Sequence, residues 1–315
     1  MYICIMQFKS LYELMEYFGT ETKCIEYLAS VRWPDEFCCI RCGSVKAREL
    51  KGNYKRYKCY DCNYQFSVRV GTIFEDSRIS LRKWYMAIFL LGNYKRGLSS
   101  YQLASDLKVT QKTAWFILSR LRYVFESQTF ATKLDGVISI DETFIGAKEK
   151  NKHANKRTKN TQGRSTKTKT PVLGIITENG KVYTTILLDT KATTLKPIIH
   201  STITPGSTVV TDDWLGYRGL GKEGFNHIII NHNKSEYVKG KFSTNNIENY
   251  WSLFKRGLYG VYYKVSVKHL HKYCDEFSFR FNTRKLKPQE RFELSLRHTE
   301  NKRLTYEQLI NPTIV

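Results

Sequence analysis

Three acidic segments carry the residue types from which a reaction centre could be built. Asp141 follows the run Val137-Ile138-Ser139-Ile140, Asp212 and Asp213 follow Ser207-Thr208-Val209-Val210-Thr211, and Glu248 lies in STNNIENYWSLFKR seven positions before Lys255. Seven residues are two turns of an α-helix, so Glu248 and Lys255 share a face beside the apolar stripe Ile247, Trp251, Phe254 and Leu258. A Glu-Lys pair by itself is ordinary on a solvated helix. Acids delivered from two buried strand ends and one helix are a different object. They form a set of hard oxygen donors for two Mg2+ or Mn2+ ions, the arrangement that stabilises the attacking and leaving oxygens of a phosphoryl transfer. At the second segment the ligand could be Asp212 or Asp213.

Cysteine spacing points to a second metal. Cys39 and Cys42 form one CxxC and Cys59 and Cys62 another, separated by sixteen residues. Two such knuckles supply four thiolates to one structural Zn2+, and four thiolates leave no open position for substrate. Cys38 adjoins Cys39 and would give a CxxxC with Cys42; Cys39 is preferred because it repeats the geometry of the second pair. Cys4, Cys24 and Cys274 are isolated and read as core residues.

These groups need elements to position them. β-Branched runs at 137–140, 172–177, 182–188, 208–211 and 227–230 predict strands, with a helix near 193–200 and two more at about 243–257 and 266–284. Upstream, LSSYQLASDLKVTQKTAWFILSRLR has Ser99 and Thr110 as helix caps around a tight turn at Val109, the pattern of a helix-turn-helix. Gln111, Lys112 and Thr113 then open the second helix, where base edges would be met, and Lys112, Arg120 and Arg122 add positive charge. The segment 147–170 contains nine Lys or Arg and almost nothing apolar, so it reads as a solvated arm whose Lys156 and Arg157 engage phosphates.

Composition agrees with a polyanionic partner. With 51 Lys and Arg against 29 Asp and Glu, the formal net charge of the 315 residues is +22. No apolar run approaches the roughly 20 residues of a transmembrane helix, and MYICIMQFKS lacks signal-peptide features. No membrane partner is expected. The expected location is intracellular with access to DNA, cytoplasmic and nucleoid-associated if the source is bacterial.

The chain resembles the IS1595 group, the ISXO2-like DDE transposases, across nearly its whole length. The segments that carry the resemblance are RWPDEF with the CxxC ribbon, QFSVRVGTIFE, the helix-turn-helix, ISIDETFIG, TDDWLGY, NHNKSEYV and STNNIENYWSLFKRGLYGVYYKVSVKHLHKY with EFSFRFNTR. The resemblance implies an α/β fold: an RNase H-like catalytic core preceded by a small zinc ribbon and a helix-turn-helix module. The boundaries expected are a helical segment 1–37, a zinc ribbon 38–75, a DNA-binding module 76–130, a catalytic domain 131–290 interrupted by the basic insertion 147–170, and a tail 291–315. It also implies that the first acid falls on Asp141 and the second on Asp212, while the third position is Glu in some groups and Asn in others, so that Glu248 is preferred and Asn245 is its rival.

The implied activity is binding of terminal inverted repeats, cleavage of element ends and joining of the 3′ hydroxyls to target DNA by two-metal-ion chemistry. Lys255, with Arg256 beside it, would contact a phosphate near the cut. Partners would be double-stranded DNA and further copies of the chain, as a homodimer or higher oligomer holding two ends. The competing readings are a catalytically idle DNA-binding regulator and an RNase H-like nuclease that cuts without joining.

Overall fold

The computed structural model describes all residues other than 1–7, 53–54, 127–132, 147–148, 160, 162–163, 232–237, 241 and 311–315. The chain divides into two units, Met1–Phe125 with Lys285–Val315, and Glu126–Arg284.

The first unit opens with α1 (Leu11–Tyr17) and α2 (Glu21–Arg32), whose first turns are capped by the hydroxyls of Ser10 and Thr20. A small antiparallel sheet follows, β1 (Ala47–Glu49), β2 (Arg56–Cys59) and β3 (Gln65–Ser67), in that spatial order. Next come α3 (Leu81–Asn93), α4 (Ser100–Leu107) and α5 (Gln111–Val124). Trp84, Tyr85, Ile88 and Leu91 of α3 are buried, so this helix is the core of the unit.

Between α4 and α5 the chain reverses at Lys108, which takes a left-handed conformation (φ 50°). Ser99 and Thr110 accept the amides of Gln102 and Thr113, the caps expected from the sequence. The charge expected on this pair is reduced: Arg120 and Arg122 are buried, and Arg120 donates to the carbonyls of Ile73 and Glu75 (the latter at 3.0 Å). Arg120 therefore acts as a structural tie, its guanidinium spent on two main-chain carbonyls. At 100° per residue Arg120 lies well off the Ala114-Leu118-Leu121 stripe, on a flank of α5 where the Ile73 and Glu75 carbonyls receive it and its guanidinium stacks 4.4 Å from the Phe116 ring.

In the second unit β4 (Val137–Gly146), β5 (Lys169–Thr177), β6 (Val182–Ile186), β7 (Thr208–Asp212) and β8 (Asn226–Ile230) form one sheet in the order β6-β5-β4-β7-β8. The first three run antiparallel as a meander, while β4-β7 and β7-β8 are parallel. Counted along the chain, the order is 3-2-1-4-5 with the second strand reversed, the topology of an RNase H-like core.

One face of this sheet packs Ile138, Ile140, Leu173 and Ile175 against Leu195 and Ile199 of α6 (Ala192–Thr202). After a short hairpin of β9 (Val238–Lys239) and β10 (Phe242–Ser243), the other face is covered by α7 (Asn245–Gly257) and α8 (Val267–Asn282). There Val172, Ile176 and Val182 meet Ile247, Trp251, Phe254 and Phe277. The third sheet residue on that side is Gly174, where a Cβ would come within 2.4 Å of the Trp251 ring, so α7 lies directly on bare backbone.

Residues 285–315 return to the first unit through α9 (Pro288–Arg297) and α10 (Tyr306–Ile310). Phe292 sits edge-on to Tyr85 at 5.2 Å and lies 5.8 Å from Phe18, well inside that core. Part of the segment expected as a tail is thus core structure of the first unit. Among the described residues no helix is long and apolar enough to cross a membrane.

Candidate active site

Strand alternation sorts the acids before any side chain is considered. Asp141 is not at its strand's end, as the short β-branched run suggested, but midway along β4, because pairing with β5 continues to Gly146. Its partner there is Gly174, so Asp141 points to the α7 side, while Glu142 points to the α6 side. On β7, Val209 belongs to the α6-side core, which sends Val210 and Asp212 to the α7 side. Glu248 lies in the first turn of α7 itself. Three carboxylates from three elements therefore face one region.

Electrostatics agree with that convergence. Burial pushes the Asp141 carboxyl up to about 7, with further upward pushes from the charges of Glu142, Asp212 and Glu248. Asp212 is thus the member of the Asp212-Asp213 pair whose charge reaches Asp141. Burial lowers the Lys255 ammonium from its usual range and the charge of Asp141 opposes that effect, so the face shared by Glu248 and Lys255 is the one turned toward Asp141. The Thr244 hydroxyl donates to Glu248 Oε1 at 2.8 Å. Asn245 is the first residue of α7, one turn before Glu248, and is exposed.

A second network borders the first. The Arg164 guanidinium donates from Nη1 to Glu142 Oε2 and from Nη2 to Asp212 Oδ2, both at 2.6 Å, and stacks 4.3 Å from the Trp214 ring. The Trp214 amide donates to Asp212 Oδ1 at 3.1 Å, and the Tyr217 hydroxyl donates to Glu142 Oε1. Burial raises the Glu142 carboxyl, while Tyr217 and Arg164 hold it back. Sequence reading had passed over Arg164, which is one basic residue among nine in the insertion. Its only local signal is the Gly163-Arg164-Ser165 break in an otherwise Lys-Thr-Asn-rich stretch.

The cysteine cluster takes the predicted form. The Sγ atoms of Cys39, Cys42, Cys59 and Cys62 all lie within 4.8 Å of one another, with Cys39-Cys62 at 3.7 Å and Cys42-Cys59 at 3.6 Å. A tetrahedral zinc with Zn-S bonds of about 2.3 Å has sulfur-sulfur edges of about 3.8 Å, so the donor set fits that ion. The two knuckles repeat one turn: the amides of Cys39 and Cys59 donate to the carbonyls of Ser44 and Tyr64, five residues on in each case, and Gly43 and Asn63 both adopt positive φ. Cys38 is outside the cluster.

Of the other residues singled out as DNA contacts, Lys112, Lys156, Arg157 and Arg256 are exposed. Gln111 is tied to Ser100 Oγ at 2.8 Å and the Thr113 hydroxyl to that of Thr110 at 2.9 Å. His232 and Asn233 lie outside the described residues.

A thiol-lined ribbon and an RNase H-like sheet with clustered acids are the parts a transposase of the DNA-cutting class requires. Family comparison makes this specific: residues 133–282 match an ISXO2-like transposase domain, and residues 19–65 match a transposase zinc-ribbon domain of the same group. Together they span more than half of the chain. The chain belongs to the IS1595 group of transposases. Similar proteins include an "Uncharacterized protein in transposable element ISH50" from Halobacterium salinarum, 27% identical over 84% of this chain and 91% of that protein. An "Uncharacterized transposase-like protein" from Haemophilus influenzae is 33% identical over 35% of this chain and 87% of that protein.

Proposed function

We propose that the chain cuts the ends of an insertion sequence and joins the freed 3′ hydroxyls to target DNA, with Asp141, Asp212 and Glu248 as ligands of two divalent ions. The observation that carries this reading is the convergence of Asp141, Asp212 and Glu248 on the α7 side of the sheet, where Asp141 is buried and the charges of both other acids are felt at its carboxyl. An all-oxygen donor set of this charge suits Mg2+ or Mn2+. When bound, the ions supply Lewis acidity at the scissile phosphate and lower the pKa of water.

The protein's own part is to orient and neutralise. Lys255, half-buried beside Asp141, would pair with a phosphate oxygen next to the cut, and exposed Arg256 would hold the strand one step further along the same helix. Glu248 is preferred to Asn245 as the charged ligand for a divalent ion, and its charge reaches Asp141. The ribbon and the α4-α5 pair, acting as a helix-turn-helix through Lys112, would read the inverted repeats, and Lys156 and Arg157 would add salt-dependent phosphate contacts. Holding two ends in one complex calls for a homodimer or larger assembly.

The test is end cleavage and strand transfer on labelled end DNA with Mg2+. Cleavage followed by joining in the wild type, with both lost in Asp141→Ala while end binding persists, is the result expected. Cleavage without joining would make the protein a nuclease, and binding without cleavage a regulator.

A further inference from the structure

We propose that Arg164 is the positioning residue of the acidic site, fixing Asp212 in the orientation that receives a divalent ion. This rests on the metal-site reading given above. Pairing of β4 with β7 ends at Ser139 and Val210, whereas β7 stays paired with β8 as far as Asp212. The two central parallel strands therefore part just where Glu142 and Asp212 stand, at the point where strand order reverses, and Arg164 enters that gap. Each arm of its fork meets a carboxylate at 2.6 Å, and its plane is held against Trp214.

Glu142 supplies the anchor. Its side chain is 0% exposed, it belongs to the opposite face from Asp141, and Tyr217 fixes its other oxygen. A buried carboxylate of this kind needs a cation, and its removal from solvent makes the pair rigid. With Oδ1 of Asp212 taken by the Trp214 amide and Oδ2 by Arg164, rotation of that carboxylate is frozen. A carboxylate has about four acceptor positions, so two remain for a cation shared with Asp141. Lysine could not do the same, since a single ammonium lacks the planar fork and the stacking face. Arg164 belongs to the basic insertion, so the same contact ties that point of the insertion to the acids.

The experiment is Mn2+ titration calorimetry on the full zinc-loaded chain, run beside the Mn2+ dependence of end cleavage. Arg164→Ala should weaken Mn2+ binding by roughly 10- to 100-fold, the usual penalty for losing a group that orients a metal ligand. Added guanidinium should restore part of it, which a folding defect would not permit. Arg164→Lys should recover less than half of the lost affinity, and Glu142→Gln should weaken Mn2+ in the same direction. Wild-type or tighter Mn2+ binding in Arg164→Ala overturns the proposal and makes Arg164 a competitor for Asp212. If Arg164→Ala does not fold, wild-type Mn2+ affinity in Arg164→Lys overturns it instead. Asp141→Ala separates the two levels: if it binds Mn2+ like wild type, the metal-site reading fails and this proposal falls with it.

Discussion

At the scale of single residues, Asp141 is the group whose charge state is most open to test. Its carboxyl is pushed up to about 7 by burial and by the neighbouring carboxylates, against an ordinary value near 3.9. Between those limits the folded state holds a proton that the unfolded state has released, so stability falls as pH rises through that window. A bound cation requires the carboxylate, and its binding expels the proton. Mn2+ should therefore raise the unfolding temperature more at about pH 8 than at about pH 6, and in Asp141→Asn this pH dependence should disappear; a melting series with and without Mn2+ measures both. Arg120 and Lys112 form a second contrast on one helix. Arg120→Met removes two charge-assisted bonds to buried carbonyls, each worth about 1.5 to 3 kcal/mol, and should lower the stability of the first unit in denaturant unfolding. Lys112→Ala should leave stability alone and weaken end binding in a gel-shift titration.

At the scale of elements, the approach of α7 to the sheet is what brings Glu248 and Lys255 to Asp141. Gly174→Ala places a methyl where the Trp251 ring now lies and should destabilise the second unit by about 1 to 3 kcal/mol or more, with loss of Mn2+ affinity as α7 is displaced; paired melting and calorimetry check it. The five strands and α6 to α8 were legible in the sequence because β-branched runs and the 3.6-residue stripe of Ile247, Trp251, Phe254 and Leu258 report local geometry directly. The cysteine ribbon was legible for the same reason: its spacing is its geometry. The extension of β4 to Gly146 was not, since Asp141 and Glu142 interrupt the apolar run although β5 continues to pair with it. Arg164 was hidden because composition describes a charged loop as a whole and cannot single out the one arginine that reaches buried partners. Arg120 misled in the opposite way, as a charge counted for the surface that folding turned inward.

At the scale of the molecule, the +22 charge and the cysteine cluster make separable predictions. Lys156→Ala combined with Arg157→Ala should lower the slope of log affinity against log salt by roughly 2, since each phosphate contact contributes about 0.9. Filter binding across a salt series reads it. Stripping zinc with a thiol-competing chelator should unfold the ribbon and abolish specific end binding, because four clustered thiols have no other tie of comparable strength. Circular dichroism and gel shift follow the two losses.

The return of residues 285–315 to the first unit also sets an order of events during synthesis. Phe18, Tyr85 and Phe292 close one core, yet Phe292 emerges from the ribosome only after the entire sheet unit has been made. Domains fold as they emerge, so the unit that carries the acids can be complete while the unit that carries the ribbon still lacks a wall of its core. A chain stopped before Pro288 would display that unfilled apolar surface to proteases and chaperones.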